Sequence, residues 1–357
     1  MELTLEHVSK QFGRVRAVDD VSLTIRDGEL VALLGPSGCG KSTTLFLVAG
    51  LYRPSAGRIL FGQRVVNDVS PQSRGVGLVF QSYALYPHLT TFENIAFPLR
   101  VKRTSRAEVT RRVHEVADLT GITECLPRPP AQLSGGQQQR VALCRALVKA
   151  PAILLLDEPL SNLDARLREA TRAEIKRLQR ELGITTLFVS HDQAEALGIA
   201  DRVGIMDRGK LVVLMTPMEL YQRPPSRFVA EFIGTPPMNF MPVQVAENGI
   251  VFDGAPLRHL PRPIPQGAYM LGVRPEHLHV AADGTLPALV VLVETLGRDL
   301  LIHATCGGVR LRILADPETH VGPDDRVRLR LDWDRTHLFE ADSGRVVPFA
   351  GEGRSVQ

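Results

Sequence analysis

Lys41 and Ser42 follow glycines at 35, 38 and 40 in GPSGCGKST, an arrangement suited to holding a polyphosphate. The glycines let consecutive backbone N–H groups curl around an anion. Lys41 brings a positive charge to the outer phosphates, and the Ser42 hydroxyl is placed to hold Mg2+. Pro36, Ser37, Cys39 and Thr43 complete the loop. It follows the apolar ELVALL and opens onto TTLFLVAGL, the strand-to-helix setting such a loop needs. A nucleoside triphosphate is the expected ligand.

LLLDEP at 154–159 supplies acids. A buried strand ending in Asp157 and Glu158 needs cationic or solvent partners for them. Adjacent strand positions point to opposite sides, so one carboxylate can face a metal while the other approaches a water. Asp157 is therefore assigned to Mg2+ and Glu158 to the general base. His191 closes TTLFVS and Gln81 closes GVGLVF, which places both at strand ends where open α/β sheets bind ligands. His191 is expected at the terminal phosphate, and Gln81 at metal or water. Phe12, in KQFG, offers a ring for the base, where stacking is worth about 1–3 kcal/mol. A further anion site is expected in QLSGGQ, where Ser134 caps a helix opening with Gly135, Gly136 and Gln137.

Positioning these groups requires strands that end together. LTLEHVSKQF, VSLTI, ELVALL and GVGLVF read as strands, and residues 86–150 as mostly helical. AILLLDEP is a continuous apolar run, as in a strand buried on both faces of a parallel sheet. The polar helix ARLREATRAEIKRLQREL then leads to TTLFVS. Such alternation predicts a parallel α/β core with a helical insertion. Beyond TPPMNFMP the pattern changes, and RVRLRLDW alternates at period two. A separate all-β, barrel-like domain is expected over 236–357, after a nucleotide-binding domain at 1–235.

The 357 residues allow two domains with real cores, and a net charge of +3 argues against a dedicated nucleic-acid binder. Cys39, Cys125, Cys144 and Cys306 show no CxxC spacing, which fits free thiols. No run approaches the ~20 apolar residues that span a bilayer, so a membrane role would come through a partner.

Taken in order, GPSGCGKST, Gln81 in VFQSYALYPH, LSGGQ, LLLDEP, SNLD at 161–164 and SHD at 190–192 resemble the ATP-binding-cassette (ABC) transporter ATPases. FIGTPPMN and LGVRPEHL resemble the C-terminal regulatory domain of maltose- and glycerol-3-phosphate-type importer ATPases. The resemblance implies a P-loop NTPase core with a helical subdomain, followed by an OB-like β-domain. It implies ATP and Mg2+, and a homodimer in which Ser134, Gly136 and Gln137 of one chain close on ATP held by the other. Asp164 would line that contact. It also implies two integral-membrane permease subunits, met through residues 81–97 with Tyr83, Ala84, Leu85 and Leu89 offered to a permease helix. An extracytoplasmic solute-binding protein and a peripheral place on the cytoplasmic face of the plasma membrane complete the implied assembly. The solute is expected to be a carbohydrate or glycerol-3-phosphate. Polyamine, sulfate or iron import stays open, as does a soluble, non-transport cassette ATPase.

Overall fold

A computed structural model describes residues 1–247, 249–259 and 264–348. It divides into two compact units, Met1–Pro217 and Met218–Gln357.

The first unit begins with β1 (Leu3–Phe12), β2 (Val15–Ile25) and β3 (Leu30–Leu34), and the phosphate-type loop leads into α1 (Lys41–Ala49). Next come β4 (Ala56–Phe61), β5 (Arg64–Val65), β6 (Val76–Val79), α2 (Thr91–Val101), α3 (Arg106–Leu119) and α4 (Gly135–Leu147). The chain then returns through β7 (Ile153–Asp157), α5 (Ala165–Leu182), β8 (Thr185–Val189), α6 (Gln193–Ile199), β9 (Arg202–Asp207) and β10 (Lys210–Met215). One sheet is antiparallel, in the order β2-β1-β4-β5; the other runs β10-β9-β3-β8-β7-β6, parallel except for β10.

Every residue of β3, β7 and β8 is buried, which explains why these strands, apart from Asp157 at the end of β7 and the two threonines that open β8, are runs of apolar residues where half-covered strands alternate. Leu45, Leu47 and Val48 of α1 pack into a core shared by both sheets. Each fully buried Leu, Ile or Val of this kind contributes about 1.5–3 kcal/mol. The helical insertion has its own core, where Ile95, Leu99, Val113, Ile122, Val141 and Cys144 meet.

In the second unit α7 (Pro217–Gln222) and α8 (Arg227–Phe232) precede β11 (Asn239–Ala246), β12 (Gly249–Phe252), β13 (Ala255–Arg258) and β14 (Gly267–Val273). There follow β15 (Leu278–Val280), β16 (Leu286–Thr295), β17 (Leu300–Cys306), β18 (Val309–Ala315), β19 (Arg326–Leu331), β20 (Thr336–Glu340) and β21 (Val346–Val347). Two antiparallel sheets, β13-β12-β11-β14-β20-β21 and β15-β19-β16-β17-β18, enclose one apolar core. RVRLRL forms β19, with Leu329 and Leu331 inward.

The composition change at TPPMNFMP lies inside this second unit. Arg274 explains why the residues before it join the β-sheets. It is buried, donates to the carbonyls of Tyr221 (2.7 Å) and Ile233 (2.7 Å), and its guanidinium lies 3.7 Å from the Tyr221 ring centroid. Ala230 of α8 packs with Met238 and Phe339. The expected β-domain extends over 349–357, which lie outside the described residues.

Candidate active site

The loop between β3 and α1 is shaped by steric need at two glycines. A Cβ on Gly35 would fall 2.2 Å from the Met206 carbonyl oxygen, and one on Gly40 would fall 2.3 Å from that of Ala17. Gly40 also has φ 104°, a left-handed conformation that larger residues avoid. The loop is thus clamped between β2 and β9. The Lys41 side chain is buried and donates to the carbonyls of Gly35 (2.8 Å) and Pro36 (3.0 Å), which holds its ammonium over the loop's mouth. Pro36, Ser37 and Gly38 are exposed at the rim, whereas Cys39 is buried with its Sγ 3.7 Å from Lys41 Nζ. Burial pushes the Cys39 thiol up, against the pull of Lys41. Thr43 occupies the first turn of α1 beside Ser42.

Ser42 Oγ donates to Asp157 Oδ1 at 2.9 Å, so the phosphate-type loop and the acidic strand end meet directly. Burial pushes the Asp157 carboxyl up; the Ser42 hydrogen bond opposes this, and neighbouring Glu158 adds to it. A buried carboxylate touching a hydroxyl is a hard-oxygen donor pair of the type Mg2+ uses alongside substrate phosphates. Gln81 donates through Nε2 to Glu158 at 3.1 Å, which leaves its amide oxygen for a cation. The three residues fit Mg2+.

Glu158 gathers the remaining groups. His191 Nδ1 lies 2.9 Å from Glu158 Oε2, the oxygen that also receives Gln81. Strand alternation predicts that the two acids point to opposite sides; the structure separates them by a turn instead. β7 ends at Asp157, and Glu158 has φ 44°, with its N–H donating to the Val189 carbonyl at 2.9 Å. A left-handed glutamate is a strained residue held by its surroundings. Ser161 donates to the Glu158 carbonyl, and Asn162 donates to the Gln81 carbonyl at 2.8 Å. Neither was expected as a site residue, although both lie in the SNLD motif.

Ser134, Gly135, Gly136 and Gln137 are tied into their own helix start. Ser134 Oγ accepts from the Gln137 N–H, and the Gln137 side chain accepts from the Ser134 N–H, a capping box that opens α4. Ser134 and Gly135 are exposed, while Gly136 is buried where a Cβ would meet Leu167 at 2.8 Å. Asp164, also exposed, caps α5 through the Leu167 N–H. Phe12 is exposed and packs near the exposed Tyr52.

The segment after Gln81 differs in one respect from expectation. Tyr83 is buried rather than offered to a partner, because Arg145 donates to the carbonyls of Tyr83 (2.6 Å) and Ala84 (2.7 Å) and draws the segment inward. Leu85 packs on the helical core. The apolar surface instead lines a groove of about 450 Å3, with Leu51, Phe80, Ala84, Tyr86, Phe97 and Val101 on its walls.

Residues 18–161 match the ABC transporter family, residues 234–278 the MalK OB fold domain and residues 271–339 the TOBE domain. The chain is 45% identical to the trehalose/maltose import ATP-binding protein MalK of Thermococcus litoralis, over 96% of this chain and 98% of that protein. It is 43% identical to the sn-glycerol-3-phosphate import ATP-binding protein UgpC 1 of Rhizobium johnstonii, over 97% of this chain and 96% of that one. A solved dimeric bacterial ABC transporter cassette is 34% identical with a TM-score of 0.55, covering 60% of this chain and 98% of its own.

Proposed function

The chain belongs to the ABC transporter family as an ATP-binding import subunit, and from that premise we propose that it hydrolyses ATP to drive uptake of a carbohydrate or glycerol-3-phosphate through separate permease subunits. The contact between Ser42 and Asp157 carries the ATPase reading, since it brings a phosphate loop and an acidic strand end to one point. Lys41 leaves its carbonyls for the β- and γ-phosphates. Ser42, Asp157 and the Gln81 amide oxygen would hold Mg2+, which when bound neutralises charge on the outer phosphates. Glu158 takes a proton from water as its oxygen bonds to the γ-phosphorus, and the bond to the β,γ-bridging oxygen breaks toward ADP. His191, on the same carboxylate, orients Glu158 and reaches the departing phosphate.

Two copies act together. Ser134, Gly136 and Gln137 of one copy complete the γ-phosphate site of the other, with Asp164 at the contact. The exposure of Ser134 at the start of α4 supports this, because a helix N-terminus carries about half a positive charge, and Asp164 is likewise exposed. The groove beside Phe97 receives a permease helix. Among the described residues no helix is long and apolar enough to cross a membrane, which suits a peripheral subunit on the cytoplasmic face. An extracytoplasmic binding protein selects the solute.

Phosphate release from Mg-ATP by the purified chain tests the catalytic reading, with Lys41→Ala expected to abolish it. Co-expression with candidate permease subunits, followed by uptake of labelled maltose, trehalose and glycerol-3-phosphate into proteoliposomes, tests the substrate class. Capture of ribosomes or DNA in place of permeases would refute the import reading.

A further inference from the structure

Tyr52 meets the Phe12 ring at a centroid distance of 5.1 Å with the planes 77° apart. A base lying parallel to Phe12 is therefore steeply inclined to Tyr52, so the two rings form a corner rather than a single platform. Lys10 closes one side of it. Its Nζ lies 4.9 Å from the Phe12 centroid and 5.9 Å from that of Tyr52, and donates to the Arg53 carbonyl at 2.8 Å.

Tyr52 is in turn fixed to the helix that begins at the phosphate loop. α1 ends at Gly50 in a left-handed cap, and the N–H groups of Leu51 and Tyr52 both reach the Phe46 carbonyl, at 3.0 and 3.3 Å. The Phe46 ring also packs against Tyr52, at 5.9 Å and 73°. Lys41 and Ser42 open that same helix. Tyr52 thus ties Phe12, which belongs to β1, to the element that holds the phosphates.

We propose that Tyr52 is a positioning residue for the nucleobase, bracing Phe12 so that base and triphosphate are held in one register. The inference rests on the ATPase reading above. Aromatic pairs of this geometry carry a two- to about twelvefold effect on an equilibrium. Removing the brace should weaken binding in ground and transition states alike, which raises KM and leaves kcat in place.

The test uses the full chain, with steady-state ATP hydrolysis and inhibition by inorganic tripolyphosphate, which has phosphates and no base. Tyr52→Ala should raise KM for ATP about two- to twelvefold, with kcat and the tripolyphosphate inhibition constant unchanged, and Tyr52→Phe should restore KM. An unchanged KM in Tyr52→Ala overturns the proposal. So does a parallel rise in the tripolyphosphate constant, which would mean general damage to the phosphate loop, or failure of Tyr52→Phe to restore KM. Lys41→Ala separates the two levels: hydrolysis surviving in that variant would remove the ATPase reading itself, whatever Tyr52 does.

Discussion

Glu158 accepts from Gln81 and lies against His191 through one oxygen, so its charge is shared with a group at each of two neighbouring strand ends. Glu158→Gln keeps the size of the side chain and removes its basicity. Hydrolysis should fall about 10²–10⁴-fold while ATP still binds; fluorescent-nucleotide binding and phosphate release measure the two separately. Asn162→Ala should have a milder effect on turnover, because it frees only the Gln81 carbonyl and lets the amide wander. The loop residues and both acids were legible because their chemistry depends on residue type and spacing along the chain. The left-handed turn at Glu158, the hold of Asn162 and the aromatic corner at Tyr52 were not. They depend on which segments meet in space, and nothing local to those residues announces it.

At the scale of elements, Gly40 is the most exacting position. Gly40→Ala would drive a methyl to within 2.3 Å of the Ala17 oxygen at a positive φ, so the loop must open. Loss of nucleotide binding together with a lower melting temperature is expected, measured by titration and by thermal denaturation. In the second unit His337 is pushed down to about 4, first by burial and then by Arg274 and His277. The folded state therefore resists protonating a group that an unfolded chain protonates near 6.5. Its contribution is complete above that value and is lost as pH falls from about 6.5 through about 4. Urea unfolding of His337→Gln should show a flatter acid limb than the parent. The strands β3, β7 and β8 could be read from apolar runs, since burial on both faces leaves no alternation to obscure. The allegiance of α7 and α8 could not, because it turns on Arg274, far along the chain from Tyr221 and Ile233.

For the molecule as a whole, the prediction concerns assembly. Glu158→Gln should form a stable dimer when ATP is added, seen as a doubling of mass by light scattering, and Ser134→Ala in the same background should prevent it. The helix cap lost with that serine costs about 1 kcal/mol, too little to unfold the chain and enough to spoil an aligned anion site. A monomer that persists in Glu158→Gln with ATP would refute the shared active site. Arg274 has a practical corollary for anyone wishing to excise the tail as a regulatory module. Cutting at the change in composition would strand a guanidinium in the interior with its carbonyl acceptors left on the discarded piece, so such a fragment should precipitate. One begun at Met218 carries its own acceptors and should stay in solution.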